Sequence, residues 1–149
     1  MGTLMMTSTA FPPNGMIPST YTCDGDDLNP PLRIEYIPPA ARSLALIVDD
    51  PDAPRGMWVH WVVWNISPTT MEIAENSVPA GGVQGMNDFQ KDAYGGPCPP
   101  AGTHRYFFKL YALDTTLRLG TNTDKAALEA AMQGHILAAA ELIGRYHRK

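Results

Sequence analysis

Apolar residues along the chain fall into short runs of differing period. Residues 43–48 (SLALIV) and 58–66 (WVHWVVWNI) are apolar on both faces and rich in Val, Ile and Trp. That pattern predicts two core strands covered on both sides. A third strand is predicted over 104–113, HRYFFKLYAL. Weaker signals predict an edge strand over 4–9, short strands over 20–23 and 71–73, and a strand over 30–36 with Leu32, Ile34 and Tyr36 on one face. After residue 120 the period changes. Thr123 is placed to cap a helix with Asp124 in its first turn, and Leu128, Ala131 and Met132 form one apolar face. Gly134 interrupts it, and Ile136, Leu137, Ala140, Ile143 and Tyr146 resume helical spacing over 135–146. The pattern therefore predicts a mostly β domain with a C-terminal helical pair.

Between the runs lie 14 prolines and 13 glycines. Residues 67–103 are loop-rich, and long irregular loops in a compact domain tend to carry function. No internal repeat or linker divides the chain, so residues 1–149 are read as one domain.

Composition narrows the function classes. A net charge of -4 with scattered Lys and Arg gives no nucleic-acid footprint. The short basic end, Arg145, His147, Arg148 and Lys149, suits a helix C-terminus. No apolar run is long enough for a membrane span, and the N-terminus lacks the basic and apolar regions of a secretory signal. A cytoplasmic protein without integral membrane association is expected. In such a compartment Cys23 and Cys98 are usually reduced, and a bridge forms only if the fold brings them together. Their spacing excludes a C-x-x-C motif.

Candidate chemistry gathers at the ends of the three strong strands. Asp50-Pro51-Asp52-Ala53-Pro54 places two acids in a turn stiffened by proline rings, at the lip of a core strand. Asp50 and Asp52 flank Pro51 in this turn and are expected to do different jobs. His60 lies within the second strand and shares a face with Trp58 and Val62; a nearby acid would favour its charged form. His104 and Tyr106 share a face of the third strand, with Arg105 on the other. In Gly95-Gly96-Pro97-Cys98-Pro99-Pro100, glycines permit close backbone approach to a ligand, and exposed N–H groups there can hold an anion. Each signal alone has a plain structural reading: a solvated turn, a satisfied core histidine, an amphipathic strand start, a rigid connection.

Taken together, DDPDAP, Trp58-Val59-His60, Tyr94-Gly95-Gly96-Pro97-Cys98-Pro99-Pro100 and His104-Arg105-Tyr106 occur in an order that resembles the phosphatidylethanolamine-binding protein family, which includes Raf-kinase-inhibitor proteins and plant flowering regulators. Thr22-Cys23-Asp24-Gly25, Pro30-Pro31-Leu32 and Asn87-Asp88-Phe89 resemble its compact bacterial and archaeal branch. The resemblance implies an antiparallel β-sandwich with C-terminal helices and a small anion pocket at one end. It implies a pocket lined by Asp50, Ala53, Pro54, Trp58, His60, Gly95, Gly96, Pro97, His104 and Tyr106, with Tyr146 joining from a C-terminal helix. It also implies a cis Ala53–Pro54 bond. Val59 stands where eukaryotic members have a first His, which weakens any transfer of kinase-binding detail.

The resulting expectation is a preformed oxyanion receptor, needing neither metal nor cofactor. His60 and His104 would offer N–H donors, Tyr106 an O–H and the glycine loop backbone amides, with Asp50 fixing one imidazole. The guest would be a phosphate monoester, a phospholipid headgroup or a phosphorylated residue on a partner. Three alternatives stand beside it. A weak hydrolase would need Cys98 as nucleophile, since no Gly-x-Ser-x-Gly elbow is present. A zinc site could use two His and an Asp. An interaction module would inhibit a kinase or protease through protein contacts. A homodimer is left open.

Overall fold

The structure, a computed structural model, describes residues 2–148. Among these residues eight strands and one α-helix follow in the order β1 (Met5–Thr7), β2 (Leu32–Glu35), β3 (Ser43–Asp50), β4 (Trp58–Ile66), β5 (Glu72–Ile73), β6 (Val83–Gln84), β7 (His104–Leu113), α1 (Lys125–Met132) and β8 (Ile136–Tyr146). They form two sheets, of order β1-β2-β5 and β6-β4-β3-β7-β8, with every strand pair antiparallel. The β-sandwich expectation is met.

The larger sheet is covered on both faces. On one side, Leu4, Met6, Leu32, Ile34 and Ile73 pack against Leu46, Val48, Trp61, Phe108 and Leu110. On the other, Leu128 and Met132 of α1 and Leu117 pack against Ala45, Ile47, Val62 and Trp64. This double cover explains why β3 reads as a continuous apolar run: Leu44–Val48 are all at most 1% exposed. Burial of one such aliphatic side chain stabilises the fold by about 1.5–3 kcal/mol.

Five local expectations are corrected. Residues 136–146 form a strand, β8, paired with β7 from His104↔Tyr146 to Leu113↔Ile136, so among the described residues α1 alone remains of the expected helical pair. Its Ala-rich composition favours helix locally, but the open edge of β7 supplies a ladder that outweighs that weak preference. Gly144 lets the chain at Phe11 and Ile17 lie against this strand; a Cβ there would strike both side chains. Consequently Arg145 and Arg148 serve no helix end: Arg145 Nε donates to Asn14 O and Arg148 pairs with Asp24, while Lys149 lies outside the described residues. Residues 19–21 form one 3-10 turn rather than a strand. Tyr36 leaves the β2 face at φ 61° and is exposed. Helix α1 is capped by Asp124, whose carboxylate accepts from Ala127 N at 2.9 Å; Thr123 lies one residue earlier, and its carbonyl accepts from Met86 N.

Antiparallel pairing sets the position of the candidate site. The C-terminal end of β3 lies beside the N-terminal ends of β4 and β7, with Asp50 opposite Trp58 and Asp49 opposite Phe107. The end of β3, the start of β4 and, from far along the chain, the start of β7 therefore meet at one end of one sheet.

Candidate functional site

A β-bulge sets the face on which His60 lies. Val48 pairs with Trp61 and Asp49 with Val59, so His60 is the extra residue in β4. Both His60 and Trp61 consequently lie on the inter-sheet side, and Val62 turns to the helix side. This corrects the expected sharing of a face between His60 and Val62. His60 is held by Gly95, whose carbonyl accepts from Nδ1 at 2.7 Å. Its ring meets Phe89 and Tyr106 edge-on, at centroid distances of 5.4 and 5.2 Å. Burial pushes its pKa below the usual value, against the opposing pull of the Gly95 carbonyl and of Asp50, Asp49 and Asp27. The neutral ring with its proton on Nδ1 leaves Nε2 as a bare acceptor.

The three acids at the β3 end divide their work, and Asp49 and Asp50, adjacent on the strand, face opposite sides of the sheet. Asp50 Oδ2 meets His104 Nδ1 at 2.7 Å and its Oδ1 accepts the Asp52 N–H at 2.7 Å. Asp49 points to the helix side, where Oδ2 accepts from Lys109 and Lys125 at 3.0 and 2.8 Å. Asp52 takes a forked contact from Arg105, at 2.9 and 2.8 Å, which lowers its pKa to about 2.

His104 departs from the expected role of free donor. Its second nitrogen, Nε2, faces the Ala101 carbonyl at 3.1 Å, so both ring nitrogens are engaged. Tyr106 is the reverse. Its side chain is 1% exposed and its hydroxyl has no partner among the described residues. Burial, then Asp50, push its pKa well above the phenol range, which keeps the proton on the oxygen.

These groups line a cavity of about 340 Å3 with Asp50, Ala53, Pro54, Trp58, Phe89, Cys98, Pro99 and Pro100. The volume is at the small end of ordinary ligand sites. Seven of the eleven predicted residues line it: Asp50, Ala53, Pro54, Trp58, His60, His104 and Tyr106. Gly95, Gly96 and Pro97 lie behind it, and the glycine amides are already committed. Gly95 N donates to His60 O at 3.1 Å and Gly96 N to Asp27 Oδ1 at 2.8 Å. Those glycines serve close packing instead: a Cβ on Gly95 would strike the Phe89 ring, and one on Gly96 the Tyr21 backbone. Tyr146, on a strand rather than a helix, donates to Asp24 Oδ2 at 2.6 Å in a neighbouring cavity of about 630 Å3 that shares only Pro100 with the first.

Four lining residues escaped the sequence-based site: Phe89, Cys98, Pro99 and Pro100. Phe89 is placed by Asn87, whose amide donates to the carbonyls of His60 and Ala93 and accepts from Phe89 N and Lys91 N. Asn87-Asp88 is a turn signal that could have flagged this loop. Cys23 and Cys98 form a disulfide, contrary to the reduced thiols expected of them. Every peptide bond among the described residues is trans, including Ala53–Pro54, in line with the ordinary preference. Among the described residues no three His, Cys, Asp or Glu side chains converge as a metal site, and no helix is long and apolar enough to cross a membrane.

Comparison with known proteins agrees with this architecture. The family model of phosphatidylethanolamine-binding protein matches residues 7–147. A UPF0098 protein of Methanothermobacter thermautotrophicus is 52% identical over 144 residues, covering 93% of this chain and 95% of its own. One from Chlamydia pneumoniae is 45% identical over 150 residues, covering 97% and 99%. Among solved structures, a phosphatidylethanolamine-binding protein homologue from Chlamydia trachomatis superposes with TM-score 0.96 at 42% identity over the whole of both chains. YbcL of Escherichia coli does so with TM-score 0.92 at 30% identity, covering 99% of this chain and all of its own. The motif order, the sandwich and the shared end of β3, β4 and β7 thus have one explanation: the chain belongs to the phosphatidylethanolamine-binding protein family.

Proposed function

We propose that the cavity binds a small anion carrying an apolar substituent: a phosphate monoester, a phospholipid headgroup or a phosphorylated residue on a protein partner such as a kinase. The observation that carries this reading is the Tyr106 hydroxyl, buried in the cavity wall with no acceptor among the described residues. A buried donor without a partner is costly and points to an absent acceptor. His60 lines the same cavity, and its Nε2 has no partner among the described residues, ready to take a proton as an anion arrives. The receptor is thus narrower than four donors. Tyr106 donates, His60 donates once protonated, and Asp50 with His104 stiffens the wall. Pro54, Trp58, Phe89 and Pro99 supply apolar walls for the substituent.

We assign no catalytic residue, because Cys98, the sole nucleophile the sequence offers, is tied in a disulfide. Inhibition of a protease or kinase would use the exposed rim at Met57 and Trp58. The cytoplasmic placement belongs to the same reading, with a bridge of the sort that intracellular proteins of hyperthermophiles also carry. Calorimetric titration with phenyl phosphate at pH 5.5 and 8.5 tests the proposal. Tighter binding at pH 5.5, with proton uptake seen as buffer-dependent heat, is expected. Equal affinity at both pH values, or no heat at either, contradicts it.

A further inference from the structure

We infer that the Cys23–Cys98 bridge sets the ligand affinity of the cavity, so that its reduction weakens binding while the fold persists. The inference rests on the anion-receptor reading above and concerns the regulation of that site. Cys98, Pro99 and Pro100 form one side of the cavity wall. Chain before them is anchored several times over. Tyr94 Oη donates to Tyr21 O at 2.8 Å, Gly96 N to Asp27 Oδ1 at 2.8 Å, and Cys23 N to Pro97 O at 3.1 Å. Chain after them is not. Pro99 and Pro100 have no N–H to give. The next contact is the Ala101 carbonyl against His104 Nε2, at 3.1 Å. Residues 100–103 are exposed, and Gly102 has a φ of +71° with open space around it. Pro99 is buried, but among the described residues no hydrogen bond holds the rim over 98–100 between the disulfide and the Ala101–His104 contact.

Cys23, the outer partner, is exposed on its turn, where a reductant can reach it. A thiolate attacks one sulfur and displaces the other as a thiolate. A second thiol resolves the mixed disulfide. Two electrons and two protons pass to the chain, and the reagent leaves as its own disulfide. Pro100 is also the wall between the cavity and its larger neighbour beside Asp24, Tyr146 and Arg148. Release of Cys98 unpins that wall and loosens the Ala101 carbonyl from His104, while contacts over 94–97 keep His60 and its Gly95 partner in place. The guest must then order the rim itself. Ordering one backbone residue is enough to lower affinity about tenfold.

The experiment is calorimetry with phenyl phosphate on the oxidised chain, on the same sample reduced with a phosphine and then reoxidised, and on Cys98→Ser. Amide NMR spectra are recorded alongside. The oxidised chain is expected to bind at least about tenfold more tightly than the reduced chain and Cys98→Ser, reversibly, with shifts confined to residues 22–25 and 96–104. Pro100→Gly, which loosens the rim with the bridge intact, keeps the test open if reduction unfolds the chain; it is expected to weaken binding in the same direction. Equal affinity in the folded reduced and oxidised chains overturns the inference and leaves the receptor standing. So does undiminished binding by Pro100→Gly where the reduced chain unfolds. Absence of binding by the oxidised chain overturns the receptor reading itself.

Discussion

Replacement of Tyr106 by Phe separates a binding hydroxyl from a merely structural one, because the two roles predict effects of opposite sign. The Tyr106 side chain is 1% exposed and its hydroxyl has no partner among the described residues. A buried donor left unpaired costs about 1–3 kcal/mol, and Phe keeps the ring and its packing against His60 and His104. Tyr106→Phe is therefore expected to stabilise the ligand-free protein by about 1 kcal/mol or more, a rise of about 2–4 °C in Tm for each kcal/mol at this size. The same hydroxyl, donating to an anion, is worth about 1.5–3 kcal/mol. Its loss should weaken phenyl phosphate binding about 10- to 150-fold. Thermal melts with and without phenyl phosphate measure both effects in one sample. A variant that is more stable alone and less stabilised by the ligand fits the account. A variant that melts lower alone, or binds phenyl phosphate as the parent does, refutes the reasoning that the hydroxyl awaits a guest.

Other predictions follow from the same geometry. Asp50→Ala removes the carboxylate from a buried pair with His104 and is expected to cost about 3–5 kcal/mol by urea unfolding, with His104→Ala non-additive to it. His60, whose pKa is held down by burial, binds its proton more readily unfolded than folded, so stability should fall as pH drops below about 6.5. His60→Gln should flatten that part of the pH profile. Asp52 has its pKa lowered to about 2, so the stability it lends through Arg105 is present above its ordinary value near 4 and is lost as pH falls towards 2; Asp52→Asn should remove that acid limb. Cys98→Ser opens a loop of 75 residues and is expected to lower stability by up to about 4.5 kcal/mol in denaturant unfolding. Asp124→Ala should cost about 1 kcal/mol through loss of the α1 cap.

Legibility of the fold from sequence followed the strength of local patterns. The strands β3, β4 and β7 were visible because double burial writes an unbroken apolar run. β8 was misread because its alanines and its spacing at 136, 137, 140 and 143 suit a helix, and only the edge of β7 decides otherwise. For the site, the acids and imidazoles were legible from their improbable place in apolar strands. Their convergence was half legible: β3 and β4 form a near-neighbour pair, but nothing local says that β7 lies on the other side of β3. The His60 bulge and the consumption of the Gly95 and Gly96 amides were not legible, since both depend on which atoms face each other. Nor was the Cys23–Cys98 bridge, which spans 75 residues and forms only because two loops meet at the cavity wall.

The claim on which the account turns is that His60, whose pKa burial holds down, takes a proton on Nε2 when an anion settles against Tyr106. Nitrogen-15 NMR of the histidine rings reads that proton directly. At pH 7, saturation with phenyl phosphate should move the His60 Nε2 resonance from the unprotonated to the protonated range, and Tyr106→Phe should blunt the change. A His60 ring that stays in one form while phenyl phosphate saturates the protein would contradict it.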